Sequence, residues 1–285
     1  MPKLGVAAMA GGNMTLFSMM VLERLIRAGL RFDCISGYSA AGCLMASLAR
    51  GSIDQQLEMF FEALDQNEQN FYLQNVFRRG EHPFPHETIY GNLVRDCIDI
   101  QALKAFPIET RLICSYVKAT KRTAPVKGVI ASAWLMSHLA IRKFVRANTM
   151  RGFSKVFRAR GEVLDLRQLD DPDEVFFHIM GSSTIYPCIK LRRNGTHVAL
   201  DGMTSGITPL EVLDDCDYVL SIQGRPSKRH HERVIELCPR RPLDVNPLDY
   251  KGSTAARRAY DRGIEDGEYY VNVLKNTPFF IGEAA

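Results

Sequence analysis

Ser39 is the side chain around which a chemistry can be built. It lies in Gly37-Tyr38-Ser39-Ala40-Ala41-Gly42, which reads as a G-x-S-x-G element closing on Gly42. That pattern marks a nucleophile when it sits between a strand and a helix. Small residues there let the backbone turn too sharply for side chains, so the hydroxyl projects alone. The flanking residues predict that setting. Residues 32–35 are a short apolar run and read as a buried strand. Residues 39–49 carry no charged side chain and end at Arg50-Gly51, which predicts a helix buried on nearly every face with a glycine stop.

A serine hydroxyl is a poor nucleophile until a base takes its proton. None of the seven histidines stands in an informative motif. The serine comes early, after room for about one strand–helix unit, whereas an α/β-hydrolase places several strands before it. Asp201 is different: it ends an apolar run and is followed by Gly202, a place that points a carboxylate into a cleft. A second glycine turn, Ala10-Gly11-Gly12-Asn13, separates a predicted first strand (residues 3–9) from a predicted helix (residues 15–28). Backbone N–H groups at such a turn face the positive end of a helix and can hold a phosphate or an oxyanion. Nucleotide binding fits poorly, because the chain has neither a full G-x-G-x-x-G nor a P-loop lysine there.

The elements that must position these groups follow from periodicity. Residues 53–65 place Ile53, Leu57, Phe60, Phe61 and Leu64 on one helical stripe. Residues 110–117 read as a strand, and Asp171-Pro172 as a cap and first helical position. Asn194-Gly195 predicts a hairpin between residues 189–192 and 196–200. Residues 218–222 and 234–237 are further strands, and 253–274 a closing helix. His82 and His86 read as loop residues rather than metal ligands, and His138 as a packed histidine. Residues 129–141, with Trp134, are too short to span a bilayer and read as a core helix or an interfacial lid.

Composition bounds the rest. The chain has 285 residues, 46% hydrophobic and 24% charged, and no apolar run approaches the ~18 residues of a membrane span. Its seven cysteines show no CxxC or metal-ligand spacing and suit reduced thiols in a cytoplasm. No metal, cofactor or nucleic acid is expected. Residues 110–161 hold twelve Lys or Arg and no acid, leaving twenty-four basic against thirty-two acidic residues elsewhere. That segregation points to a face meeting an anionic partner, such as a membrane surface or an acidic carrier.

At this point the chain resembles the patatin-like phospholipase family. The family's D-G-G-G-x-R-G falls on residues 9–15, its G-x-S-x-G on residues 37–42, and its D-G-[GA] on Asp201-Gly202-Met203. Residues 207–210 are similar to its N-x-I-P-L stretch, and 181–187 to its A-S-S-A-I-P lead-in. In the first block Met9, Ala10, Met14 and Thr15 replace the family's Asp, first Gly, Arg and last Gly. The resemblance implies a three-layer α/β/α sandwich with a mainly parallel central sheet, here one domain over residues 1–285 with a basic insertion at about 110–161. It implies a Ser-Asp dyad: Ser39 attacks an ester carbonyl and Asp201 takes its proton. Backbone N–H groups of Gly11, Gly12, Asn13 and Ala40 would hold the oxyanion. The activity implied is a lipid acyl hydrolase of phospholipase A, lysophospholipase or carboxylesterase type, cytoplasmic and peripherally membrane-associated. An acyltransferase and a catalytically silent lipid- or protein-binding scaffold are the alternatives.

Overall fold

In the computed structural model, which describes residues 2–9, 11–78, 81–141, 149–224, 226, 231–277 and 279, the chain opens with β1 (Leu4–Ala8), buried at every position. A glycine turn leads into α1 (Thr15–Arg27), and β2 (Cys34–Gly37) and α2 (Ala41–Arg50) repeat the strand–turn–helix step. Helices α3 (Ile53–Asp65), α4 (His86–Cys97) and α5 (Ile100–Ala105) precede the long strand β3 (Glu109–Lys118). Then come α6 (Ala124–Ile141), α7 (Thr149–Phe157), β4 (Arg160–Leu164) and α8 (Pro172–Ser182). The chain continues through β5 (Arg193–Asn194), β6 (His197–Leu200), α9 (Pro209–Val212), β7 (Tyr218–Ile222), β8 (Val234–Leu237) and α10 (Thr254–Leu274).

These strands form one eight-stranded sheet in the order β5-β6-β3-β2-β1-β7-β8, with β4 also paired to β3. The pairs β3-β2, β2-β1, β1-β7 and β7-β8 are parallel. Helices cover both faces, a three-layer α/β/α arrangement that explains why β1, β2 and β7 are buried at nearly every position. Along β1, β2 and β7 the side chains alternate between faces. Val6, Ile35 and Leu220 enter the large core, while Ala7, Cys34 and Val219 enter a smaller one with Leu213 and Cys216.

The register around β3 positions the site. Leu112 pairs with Gly37 of β2 and with Leu164 of β4, so those two strands occupy opposite edges of β3. Ser115 pairs with Gly161 of β4 and Leu200 of β6, so β6 lies opposite β4 and shares an edge with β2. Parallel β2 ends at Gly37 and antiparallel β6 ends at Leu200. The two strand ends therefore meet head to head along one edge of β3, separated by a short stretch around Ile113.

Several boundaries differ from the sequence reading. The first hairpin arm is only Arg193–Asn194; before it, the Lys190 N–H and the Arg192 side chain bind Glu87 on α4, while the Arg192 carbonyl accepts the Ala199 N–H. Helix α4 falls in a stretch whose sequence reads as mixed, although Tyr90, Leu93, Val94 and Cys97 form a buried stripe along it. His86 heads that helix and is buried, not a loop residue; His82 does lie in a loop. Within the basic segment β3 and β4 are sheet strands, and α6 and α7 lie between them. Ala10 of the first glycine block, and Arg142, Lys143 and Arg146 of the basic segment, lie outside the described residues.

Candidate active site

Ser39 sits two residues past the end of β2, with φ +57°, a left-handed conformation that costs a non-glycine residue about 1 kcal/mol. Local packing fixes it there. Ala41 and Gly42 donate their N–H groups to the carbonyls of Tyr38 and Ser39, starting α2 at once. The Ser39 N–H donates to Ser182 Oγ at 2.9 Å, and Ser182 Oγ–H donates to the Ile113 carbonyl at 2.7 Å. Ile113 lies in the gap between the ends of β2 and β6, so fully buried Ser182 at the end of α8 bridges that gap and holds the turn.

The glycine pattern of the turn needs a correction. The fifth position of G-x-S-x-G is Ala41, and Gly42 comes one residue later. The geometry accommodates this exchange. A Cβ on Gly37 would lie 2.3 Å from the Ala41 Cβ, so Ala41 fills the space that Gly37 must leave empty. Gly42 is needed against α8 and β3: a Cβ there would meet Ile179 at 3.0 Å and Leu112 at 3.1 Å.

Asp201 is the first residue beyond β6 and is 3% exposed. Its carboxylate accepts the Met203 N–H at 3.0 Å, and the Ser39 hydroxyl is close enough to draw its pKa down. Burial raises its pKa from the usual 3.8 to about 7; the bonds from Met203 and Ser39 pull the other way. The turn is anchored from below, where Thr204 Oγ1 bonds Ser115 Oγ on β3 at 2.9 Å and the Asp201 carbonyl at 2.7 Å. Gly202 must be glycine, since a Cβ would lie 2.2 Å from the Ile113 carbonyl oxygen and 2.7 Å from Tyr38 Cβ. Among the described residues no histidine is hydrogen-bonded to Ser39 or Asp201.

The first glycine turn lies on the same cavity as Ser39. Gly12 has φ +55°, and a Cβ there would strike the Pro247 carbonyl at 2.2 Å. Asn13 departs from the sequence expectation: its N–H donates to Pro247 O at 3.1 Å and its side-chain amide to Asp249 O. It is therefore committed elsewhere. The N–H groups of Gly11, Gly12 and Ala40 take no acceptor among the described residues. Ala40 N–H also stands at the N-terminal, positive end of α2.

A cleft whose cavity volume is about 60 Å³ is lined by Gly12, Ser39 and Ala40 and by apolar side chains that include Leu16, Met19, Phe60, Leu93 and Ile189. Most of its polar lining carries no signal in the sequence, His86 and Ser183 among it. His86 had no motif to mark it. Ser183, whose hydroxyl meets the Tyr90 hydroxyl at 3.1 Å, follows Ser182 in the 181–187 segment, where the only signal was the family-like lead-in. Among the described residues no cluster of three or more His, Cys, Asp or Glu side chains could hold a metal ion.

Ser39 stands on a strand–turn–helix elbow and lines an apolar cleft in a three-layer α/β fold with a mostly parallel sheet. The family model for the patatin-like phospholipases matches residues 8–214, and the chain belongs to that family. No curated protein matches the chain. At the level of the family the domain is a lipid acyl hydrolase. Among the described residues no helix is long and apolar enough to cross a membrane.

Proposed function

We propose that the protein cleaves carboxylic ester bonds of acyl lipids through a Ser39–Asp201 dyad and an acyl-enzyme. The carrying observation is the buried Asp201 carboxylate at the meeting of β2 and β6, its pKa raised by burial and drawn back down by the nearby Ser39 hydroxyl. Asp201 accepts the hydroxyl proton as Ser39 Oγ attacks the ester carbonyl. A pKa near 7 makes it a stronger base than an ordinary carboxylate while leaving it largely ionised at slightly alkaline pH. The N–H groups of Gly11, Gly12 and Ala40 receive the developing oxyanion; each such donor is typically worth ~3–4 kcal/mol of barrier. Protonated Asp201 returns its proton to the leaving alkoxide, and the acyl group stays on Ser39 in the apolar cleft. Water, activated by the same carboxylate, then releases the acid.

The Ser39→Ala protein tests this reading. It is expected to lose cleavage of a p-nitrophenyl acyl ester and labelling by a fluorophosphonate probe. Wild type that fails to label would make the fold a silent scaffold. Release that depends on an added alcohol or thiol acceptor would make the enzyme an acyltransferase.

The same reading extends to an anionic lipid surface as the source of substrate. Helix α7 packs on the turn after Asp201, with Arg151 Cα 3.0 Å from where a Gly206 Cβ would stand. Helix α6 lies over Tyr186 and Leu191, beside the cleft-lining Ile185 and Ile189. On these two helices Val126, Val129, Met136 and Val156 are exposed apolar side chains. Around them Lys121, Arg122, Lys155 and Arg158 are exposed and form no ion pair among the described residues, whereas Arg151 and Arg160 are held by Glu211 and Glu162. Exposed apolar groups and cations in one segment suit insertion at an anionic headgroup layer.

A further inference from the structure

The cleft at Ser39 has an outer and an inner end. Gly12, Ser39, Ile185, Cys188 and Leu248 line it and are partly open to solvent. Leu16, Met19, Cys43, Phe60 and Leu93 also line it, and each is buried. The nucleophile therefore stands at the mouth, with an apolar end beneath it. The alcohol released from an ester needs hydrogen-bonding partners, which water at the mouth supplies and the inner side chains do not. The acyl chain is apolar and is the half that goes inward.

The inner end is shallow. Along α1 the lining runs from Leu16 to Met19, and along α2 from Ala40 to Cys43, about one helical turn each. The next turns carry Leu22 and Leu44, which are fully buried in the main core. One turn is about 5.4 Å, and an extended chain gains roughly 1.2 Å per bond, so that depth holds about four bonds. The cavity volume of about 60 Å³ leads to the same length. One water-sized group needs roughly 10–15 Å³, so about four to six groups of that size fit, and a methylene is such a group. No charged residue lines the cleft, so a carboxylate or ammonium on the acyl chain would be buried without a partner.

We propose that the cleft is a blind acyl pocket for an uncharged chain of about four to six carbons, with Met19, Phe60 and Leu93 as the residues that set its limit. The bond that is broken rests on the hydrolase reading; the length of the chain rests on the pocket. The substrate class is then an ester of a short acyl group whose alcohol half stays outside.

The test measures kcat/KM on p-nitrophenyl esters from acetate to dodecanoate. Wild type is expected to gain about fourfold for each added methylene while the chain stays inside the pocket. The maximum is expected at butyrate or hexanoate, with dodecanoate about tenfold or more below it. Met19→Ala and Phe60→Leu enlarge the inner end and should move the maximum to longer chains. Leu93→Phe fills it and should move the maximum towards acetate. In a second measurement, methyl esters of the same acids are titrated into the Ser39→Ala protein by NMR, so that turnover is not needed. Affinity should climb with chain length and stop climbing beyond hexanoate. A maximum at octanoate or longer, an affinity that keeps rising past hexanoate, or a maximum that none of the three variants moves would overturn the proposal. Wild type that cleaves long esters as fast as short ones, where Ser39→Ala cleaves neither, overturns it and upholds the hydrolase reading. Affinities that level off at hexanoate in a protein that cleaves nothing uphold the pocket and remove the hydrolase.

Discussion

Replacing Asp201 by Asn should abolish ester cleavage and stabilise the fold. Asn is nearly isosteric, and its side-chain oxygen still accepts the Met203 N–H that now bonds the carboxylate. What it removes is a buried charge. In the native state the carboxyl has a pKa of about 7, against 3.8 for the ordinary side chain. Between those values the folded protein holds a proton that the unfolded chain has released, so wild-type stability falls as pH rises through that window and is level above it. At about 1.4 kcal/mol per pKa unit the loss totals up to ~4 kcal/mol. Asn does not titrate, so the Asp201→Asn protein should be the more stable by up to ~4 kcal/mol at about pH 8, with the difference closing towards about pH 4. Urea unfolding of both proteins across that range measures the difference directly, other titrations cancelling between them. The wild-type kcat/KM should rise with pH through a midpoint near 7, because only the ionised carboxylate can take the Ser39 proton. A stability difference that is independent of pH, or an Asn protein less stable at alkaline pH, would refute the account of Asp201 as a desolvated base.

The remaining predictions concern the parts that hold the dyad. Ser182→Ala removes the acceptor of the Ser39 N–H and the donor to Ile113, and should lower kcat about ten- to a hundredfold with KM little changed, read by ester kinetics and the rate of fluorophosphonate labelling. Gly202→Ala forces a Cβ to 2.2 Å from the Ile113 carbonyl, backbone that cannot yield, and should cost roughly 2–3 kcal/mol of stability in urea unfolding along with activity. Lys155→Glu with Arg158→Glu should weaken co-sedimentation with anionic vesicles at low salt and leave binding to neutral vesicles unchanged, since each cation near such a surface contributes ~1 kcal/mol. Equal loss on both vesicle types would remove charge as the cause.

Local pattern and long-range geometry divided the information in this chain. Helix α3 and strands β7 and β8 fall on the residues that periodicity marks, because each is a single amphipathic or apolar run with clear ends. Ser39 was legible for the same reason: its strand, turn and helix are contiguous. Asp201 could be suspected from its place at a strand end, but its proximity to Ser39 could not be read locally. That proximity depends on β2 and β6 sharing one edge of β3, a register fact created by pairings at Leu112 and Ser115. Ser182 is harder still. Serine carries no pattern as a strut, and its role exists only because an unpaired carbonyl at Ile113 and a strained turn at Ser39 come within one hydroxyl's reach. Asn13 shows the converse: a motif position looked free to donate, and the fold gave its N–H to Pro247, far along the chain. The gap between two strand ends is thus what requires a glycine at 202 and a hydroxyl at 182, and it is where buried Asp201 stands. A change that lengthened β2 or β6 by one ladder pair would halve the two-residue gap at Ile113 and Cys114 and displace Ser39 or Asp201 without touching either residue.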